Sequence, residues 1–368
     1  MYKASLLAIA SLVLSVTAQT PVTNIVQGCV TNYDATIDYF PEKINVADDK
    51  ANIFSIEYYK NYKVIQNHLN NQSYVLVQCG TPTPSNITNN TEVYQVPITK
   101  AGVMETSIVP YLERSSWISY YAAFYNLEGV ANGITQNITD NYNRLKAAAA
   151  NYPKKPVVAW ATYEAASKYN NNTASYMLKN DSYKVQLTRD AGAVMLNSNA
   201  VTYSSASDLL AAISSADILI DETYIGSNLT DFLNNYGIPE SDSNKYNFLK
   251  RKSVYREDGI LTAAGGYDWF EAPFAMADAL LEDMINVVNP VAPSSDYKRH
   301  WLRNIALNEP IKYVTSANCT WSENAPRPNL ATEFNGGNFS LSSESGASTI
   351  GINIISLFGI SLFSLYFL

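Results

Sequence analysis

The sequence predicts an α/β protein of two lobes, each a sheet with flanking helices, joined by one long backbone helix. Three observations carry this. Residues 114–151 contain no proline, and their apolar residues, among them Trp117, Tyr120, Tyr121, Phe124, Leu127, Ala131, Ile138, Tyr142 and Leu145, recur at the helical steps of three and four. Before that stretch, β-rich runs mix with helical ones. After it, strands and helices alternate.

The chain begins with a secretory pattern over residues 1–18. Lys3 supplies the positive start, Leu6 to Val16 the apolar run, and Val16-Thr17-Ala18 the small-residue cleavage site. The first lobe is expected over residues 24–113. Strands are predicted at 51–58, where apolar residues alternate, and at 73–79 (SYVLVQC) and 92–98 (EVYQVPI); 62–67 fits a strand or a short helix, and 103–113 a helix. The run Gly80-Thr-Pro-Thr-Pro84 breaks the second strand.

The connecting helix, residues 114–151, would be roughly 55 Å long as a single rod. Gly129 and Gly133 are its weak points, each costing about 1 kcal/mol against alanine, so a break near Gly133 is the alternative. The second lobe follows over residues 156–310. Strands are predicted at 156–161, 192–196, 217–221 and 253–255, and helices at 173–191, 205–215, 227–236 and 273–288, with Ser205 as an N-cap. Such alternation implies a parallel sheet with right-handed crossovers, whose ligands gather at the strands' carboxyl ends. Those ends are residues 160–163, 197–203, 222–224 and 256–258.

Residues 311–345 lose periodicity and are expected to be loop and stalk. Beyond them lie small residues, a polar serine-rich spacer and a terminal apolar run, Ile354 to Leu368, with no basic stop. That order is the signal for a glycosylphosphatidylinositol anchor, with Ser345 as attachment site and 346–368 removed. Nine sequons, at Asn71, Asn86, Asn89, Asn137, Asn171, Asn180, Asn228, Asn318 and Asn338, agree with secretion. Together these features point to the extracellular face of a eukaryotic plasma membrane.

A net charge of −8, without any Lys or Arg cluster, argues against nucleic acid. Of the three cysteines, Cys29 and Cys79 are expected to pair because both fall in the first lobe, leaving Cys319 free. Cysteine and histidine show no metal-ligand spacing, and neither histidine stands beside a nucleophile motif, so no metal, cofactor or catalytic residue is assigned. The chain reads as a monomer.

Several stretches resemble the helical-backbone class of periplasmic substrate-binding proteins, the receptors for iron–siderophore and cobalamin uptake. They are FSIEYYKNYKV at 54–64, YVLVQCGTPTP at 74–84, VYQVPI at 93–98, FYNLEGVAN at 124–132, KPVVAW at 155–160, RDAGA at 189–193 and DWFE at 268–271. The likeness is one of order and pattern over about residues 45–290, and it extends to secreted, anchored fungal versions. It implies a small-molecule ligand, such as a ferric chelate, held between the lobes.

Candidate ligand-binding residues are Thr81, Thr83 and Tyr94 from the first lobe, and Trp160, Tyr163, Arg189, Glu222, Tyr224, Trp269 and Glu271 from the second. Aromatic rings would stack on a flat ligand and the charged groups would fix its polar ends. Each ring has core packing as its alternative. Two further functions stay open: an enzyme acting on wall polysaccharide through carboxylates such as Glu128, Glu222 and Glu271, and a coat or adhesion protein that has lost its ligand.

Overall fold

The computed structural model describes residues 21–45, 52–87, 91–100, 116–196, 199–315, 317 and 328–342. The expected helix at 103–113, the signal and anchor segments, Asn89, Asn318, Cys319 and Ser345 lie outside them.

The first lobe is built on a four-stranded sheet in the order β1 (Phe54–Tyr58), β2 (Tyr62–Asn67), β3 (Gln72–Gln78), β4 (Thr91–Val96). The ambiguous segment at 62–67 is a strand. Three strands form an antiparallel meander, and β4 joins β3 in parallel. One face packs Phe54, Ile65, Leu76 and Val96 against Tyr120 and Ala123 of helix α1 (Ser116–Tyr125). The N-terminal segment is stapled to the end of β3 by a Cys29–Cys79 disulfide, as expected, with Cα atoms 4.7 Å apart. Gly80 follows with φ of +82°, and a Cβ there would meet the Val30 carbonyl oxygen at 2.0 Å, so the turn needs glycine.

The single 38-residue helix does not form. The stretch is two helices, α1 and α2 (Glu128–Ala150), and the break falls at Asn126 instead of Gly133. Asn126 takes a φ of 57°, which asparagine tolerates better than other side-chain-bearing residues. Its buried amide donates to the Ile25 carbonyl and to Gln78 Oε1, and accepts from Lys63 Nζ. Tertiary partners therefore set the break, and the apolar period runs through it unbroken. The 23 residues of α2 still reach both lobes. Ala131 packs in the first core, whereas Ile138, Tyr142, Leu145, Ala148 and Ala149 pack in the second.

The second lobe holds a mixed sheet of β5 (Val157–Glu164), β6 (Ser175–Lys179), β7 (Val194–Met195), β8 (Val201–Tyr203), β9 (Ile218–Asp221), β10 (Val254–Arg256) and β12 (Arg303–Asn304). Its centre is parallel, as predicted: β9 pairs with β5 and β10, and β7 with β5. Its edges are antiparallel, because β6 folds back on the carboxyl half of β5, β8 pairs with β6, and β12 with β10. The helix expected over 173–191 is thus β6 followed by a shorter helix, α3 (Ser182–Asp190). The segment Ser-Tyr-Met-Leu-Lys pairs as a hairpin arm, which its own sequence does not reveal. Helices α4 (Ala206–Ala212), α5 (Leu229–Asn235) and α6 (Asn247–Lys250) cover one face, and α2, α3 and α7 (Ala277–Val288) the other. Ser205 accepts from the Asp208 amide as the predicted N-cap, and Asn228 with Asp231 forms a capping box on α5. A small parallel pair, β11 (Ile260–Thr262) and β13 (Lys312–Val314), stands apart.

Residues 328–342, expected as stalk, lie along α2 and α7. Phe339 is buried beside Tyr152, Arg144 donates to the Phe334 carbonyl, and Asn289 bonds the backbone of Ser340 and Ser342. The segment lacks periodicity because polar side chains on and beside the two helices, Asn141, Arg144, Glu282 and Asn289, bond its backbone.

Candidate functional site

Helix α2 leaves the first lobe, six residues lead from it to β5, and β5, β9 and β10 run parallel, so their carboxyl ends lie together. Thr81 and Thr83 follow the carboxyl end of β3, where Gln78 bonds Asn126 at the start of α2.

Alternation along β9 and β10 sends successive side chains to opposite faces. On the α4–α5 face, Asp221 accepts from Arg256 Nη1 at 2.7 Å, Thr223 Oγ1 at 2.5 Å and Tyr236 OH at 2.9 Å. Asp258 ties Arg256 to Arg303 at 3.2 and 2.7 Å. This buried network consumes its own charges and fixes the ends of β9 and β10.

On the α3 face stand Glu222 and Glu257. Lys184, at the first turn of α3, reaches Glu222 at 2.6 Å and Asp181 at 2.6 Å, and lies 5.7 Å from the Trp160 ring. Burial presses the Lys184 ammonium down, but Glu222 and Asp181 more than offset that and raise its pKa. Burial, with Glu222 alongside, raises Glu257 well above the carboxylate range, and a protonated Glu257 hydrogen-bonds Glu222. As a carboxylate it would leave Oε1 buried without a donor. Beyond the end of β9 the rings of Tyr224 and Tyr267 stack at 5.7 Å, Phe270 follows Tyr267 at 6.0 Å, and the Tyr267 hydroxyl meets Arg256. Tyr224 is 73% exposed and Phe270 53%, an unusual degree for adjoining rings.

Of the residues chosen from sequence, Glu222 and Tyr224 stand at the end of β9, and Glu271 is exposed after the turn at 268–270, whereas Tyr163 turns to the α4–α5 face and packs half-buried against Tyr176. Trp160 and Trp269 do not line a surface. Both are buried, 6.4 Å apart, in the core under α2 and α7, where Trp160 Nε1 donates to Thr188. Arg189 is at the far end of α3, bonding Asp190 at 3.1 Å, near where Gly192 meets the end of α2; it cannot join Glu222. In the first lobe Thr81 is buried and spent on the turn, bonding the Gln78 carbonyl and Asn61, whereas Thr83 is exposed and Tyr94 stands 6.2 Å from Tyr74. Glu128 is buried with Lys63 and is no solvated acid.

Sequence reasoning missed Lys184, Glu257, Tyr267 and Phe270. Glu257 lay within a named strand end, so register alone could have found it. Lys184 is legible only once α3 is known to start at Ser182. Among the described residues no group of three or more His, Cys, Asp or Glu is placed to hold a metal ion. No described helix is long and apolar enough to cross a membrane. Asn71, Asn86, Asn137, Asn171, Asn228 and Asn338 are exposed, and Asn180 is half-buried.

No family model matches the sequence, and no curated relative matches it. Solved structures of periplasmic solute-binding proteins are similar to part of the chain at low TM-scores. A periplasmic heme-binding protein from Pseudomonas aeruginosa is 13% identical, with a TM-score of 0.38 over 59% of this chain and 68% of that one. A possible iron-binding, periplasmic solute-binding protein from Staphylococcus epidermidis is 15% identical, with a TM-score of 0.36 over 54% of this chain and 66% of that one. A TroA-like periplasmic binding protein from Veillonella parvula is 12% identical, with a TM-score of 0.37 over 58% of this chain and 64% of that one. The chain spans about two thirds or less of the first of these solved chains it matches. These are likenesses of arrangement over part of the chain.

Proposed function

We propose that this chain is a cell-surface binding protein for a small molecule, a ferric chelate or a ligand of similar size, seated between its two lobes. One observation carries the reading. Two separately cored lobes are bridged by α2, and the second presents exposed rings and polar groups at the carboxyl ends of its parallel strands. That is where open α/β sheets bind ligands. Thr83 and Tyr94 would close the site from the first lobe.

Secretion through residues 1–18, glycans on the exposed sequons and a lipid anchor at Ser345 complete the proposal, with the chain acting as a monomer on the outer leaflet. Binding is favoured over hydrolysis of wall polysaccharide. Glu222 and Glu257 lie within hydrogen-bonding reach of each other, closer than the about 5 Å or more that paired glycosidase carboxylates keep.

Native mass spectrometry of the purified protein, before and after mild denaturation, should show a small adduct that unfolding releases. Tyr224→Ala should weaken retention of that adduct while leaving the unfolding midpoint in place. A protein that carries nothing, and binds no ferric chelate in titration calorimetry, would favour a coat or adhesion role instead.

A further inference from the structure

The α3 face of the second lobe has more carboxylates than cations. Asp181, Glu222 and Glu257 are met by Lys184, with Lys179 acting on Asp181 as well. Arg256 also acts on Glu257, but its guanidinium is bonded to Asp221 and Asp258 on the other face. One more positive charge would balance the group. In its absence burial and the neighbouring Glu222 favour a proton on Glu257. Glu257 is 5% exposed, and its Oε1 has no hydrogen-bond partner among the described residues unless that proton is present. Glu222 keeps some exposure at 11% of its side chain, so the group is reached from outside through Glu222.

The rings lie on the same face. Tyr267 packs against the core that holds Trp160 and Trp269, as does Tyr183 beside Lys184, and the exposed Tyr224 stacks on Tyr267. Exposed aromatic faces next to carboxylates attract organic cations twice, by charge and through the ring quadrupole.

We propose that this end of the second lobe recognises an organic cation, a ligand bearing an ammonium or guanidinium group, with the Glu222–Glu257 pair on the charge and Tyr224, Tyr267 and Phe270 against the adjoining carbon. The proposal rests on the small-molecule reading above and specifies its ligand class. On binding, the Glu257 O–H bond breaks, the proton leaves to solvent, and an N–H of the ligand takes its place as donor to the pair. One proton is released per ligand, and affinity rises with pH through the titration of Glu257, whose facing charges are Glu222, Lys184, Asp181 and Arg256.

The test uses the full chain and two probes that differ in one charge: the ferric trihydroxamate ferrioxamine B, which has a free ammonium, and its neutral N-acetyl form, with an anionic ferric tris-catecholate as a third. Calorimetry in buffers of different ionisation enthalpy should show the ammonium form binding roughly tenfold to a hundredfold tighter than the acetylated one, as a hydrogen bond to a charged group contributes. It should also show proton release that Glu257→Gln abolishes. Tyr224→Ala, at an exposed position that leaves folding alone, should weaken the ammonium form as well. Equal binding of the two hydroxamates, or binding of the tris-catecholate alone, overturns the proposal and leaves the small-molecule reading standing. Binding of none overturns the ferric-chelate reading. A ligand-free measurement then decides the pair separately: infrared difference spectra at neutral pH, taken in a Glu282→Gln background because burial also raises Glu282 to about 8, should show protonated-carboxyl intensity that Glu257→Gln removes, and a spectrum unchanged by Glu257→Gln refutes the shared proton.

Discussion

Replacing Lys63 with methionine tests how the first lobe holds the start of α2. Lys63 on β2 and Glu128 at the first turn of α2 form an ion pair with both side chains wholly buried. Glu128 also accepts from Asn24 Nδ2 at 2.8 Å and Tyr58 OH at 3.4 Å, while Lys63 donates to Asn126 at 2.9 Å and lies 4.5 Å from the Phe40 ring. Methionine fills the stem's volume but leaves Glu128 as a buried, unpaired charge and Asn126 Oδ1 without its donor. Breaking such a pair costs about 3–5 kcal/mol. The double variant Lys63→Met, Glu128→Leu removes both charges and should recover a good part of that loss, as apolar replacements of buried pairs do. Urea unfolding followed by tryptophan fluorescence and circular dichroism measures both. Burial, against the pull of Glu128, lowers Lys63 to about 8. Its folded pKa lies below the unfolded value, so between about pH 8 and 10.5 the unfolded chain holds a proton that the folded chain has released, and stability from this group rises with pH. Lys63→Met should lack that rise. A loss under about 1 kcal/mol for Lys63→Met, or a double variant as unstable as the sum of the singles, would refute the assignment.

Gly133→Ala should stabilise the protein by about 1 kcal/mol, because a Cβ there meets nothing within 4 Å. Gly129→Ala should not, since its Cβ would stand 2.1 Å from Glu42 Oε1 and displace the carboxylate that bonds the Asn24 amide; matched thermal melts separate the two. Glu282 on α7 accepts from the Thr332 amide, and burial raises it to about 8. Its folded pKa lies above the unfolded one, so its contribution is full below about pH 4.5 and is lost as pH rises to about 8; Glu282→Gln should flatten that slope in urea midpoints. Removing both Cys29 and Cys79, which close a loop with sequence separation 50, should cost about 4 kcal/mol, and peptide mapping without reduction should find the pair linked.

The sequence by itself determined the elements whose periods are local. Alternation placed β1, and β-rich runs placed β3 and β4; the Ser205 cap placed α4; and apolar runs placed the parallel centre of the second sheet, with its strand ends. It also brought Cys29 and Cys79 into one lobe. The tertiary structure decided whatever depended on partners far along the chain. Asn126 breaks the helix because Lys63, Gln78 and Ile25 surround its amide, and nothing within residues 114–151 records that. The tail at 328–342 is ordered by Asn141, Arg144, Glu282 and Asn289, which lie 50 or more residues away. Trp160 and Trp269 have the composition of a stacking site, but strand register turns Trp160 into the core, and the helical turn at Asp268–Phe270 buries Trp269 beside it. The same register turns Glu222 and Glu257 to one face and Asp221 and Arg256 to the other. A side chain's type is written in the sequence, whereas the face it takes and the charge it meets depend on pairing across the sheet.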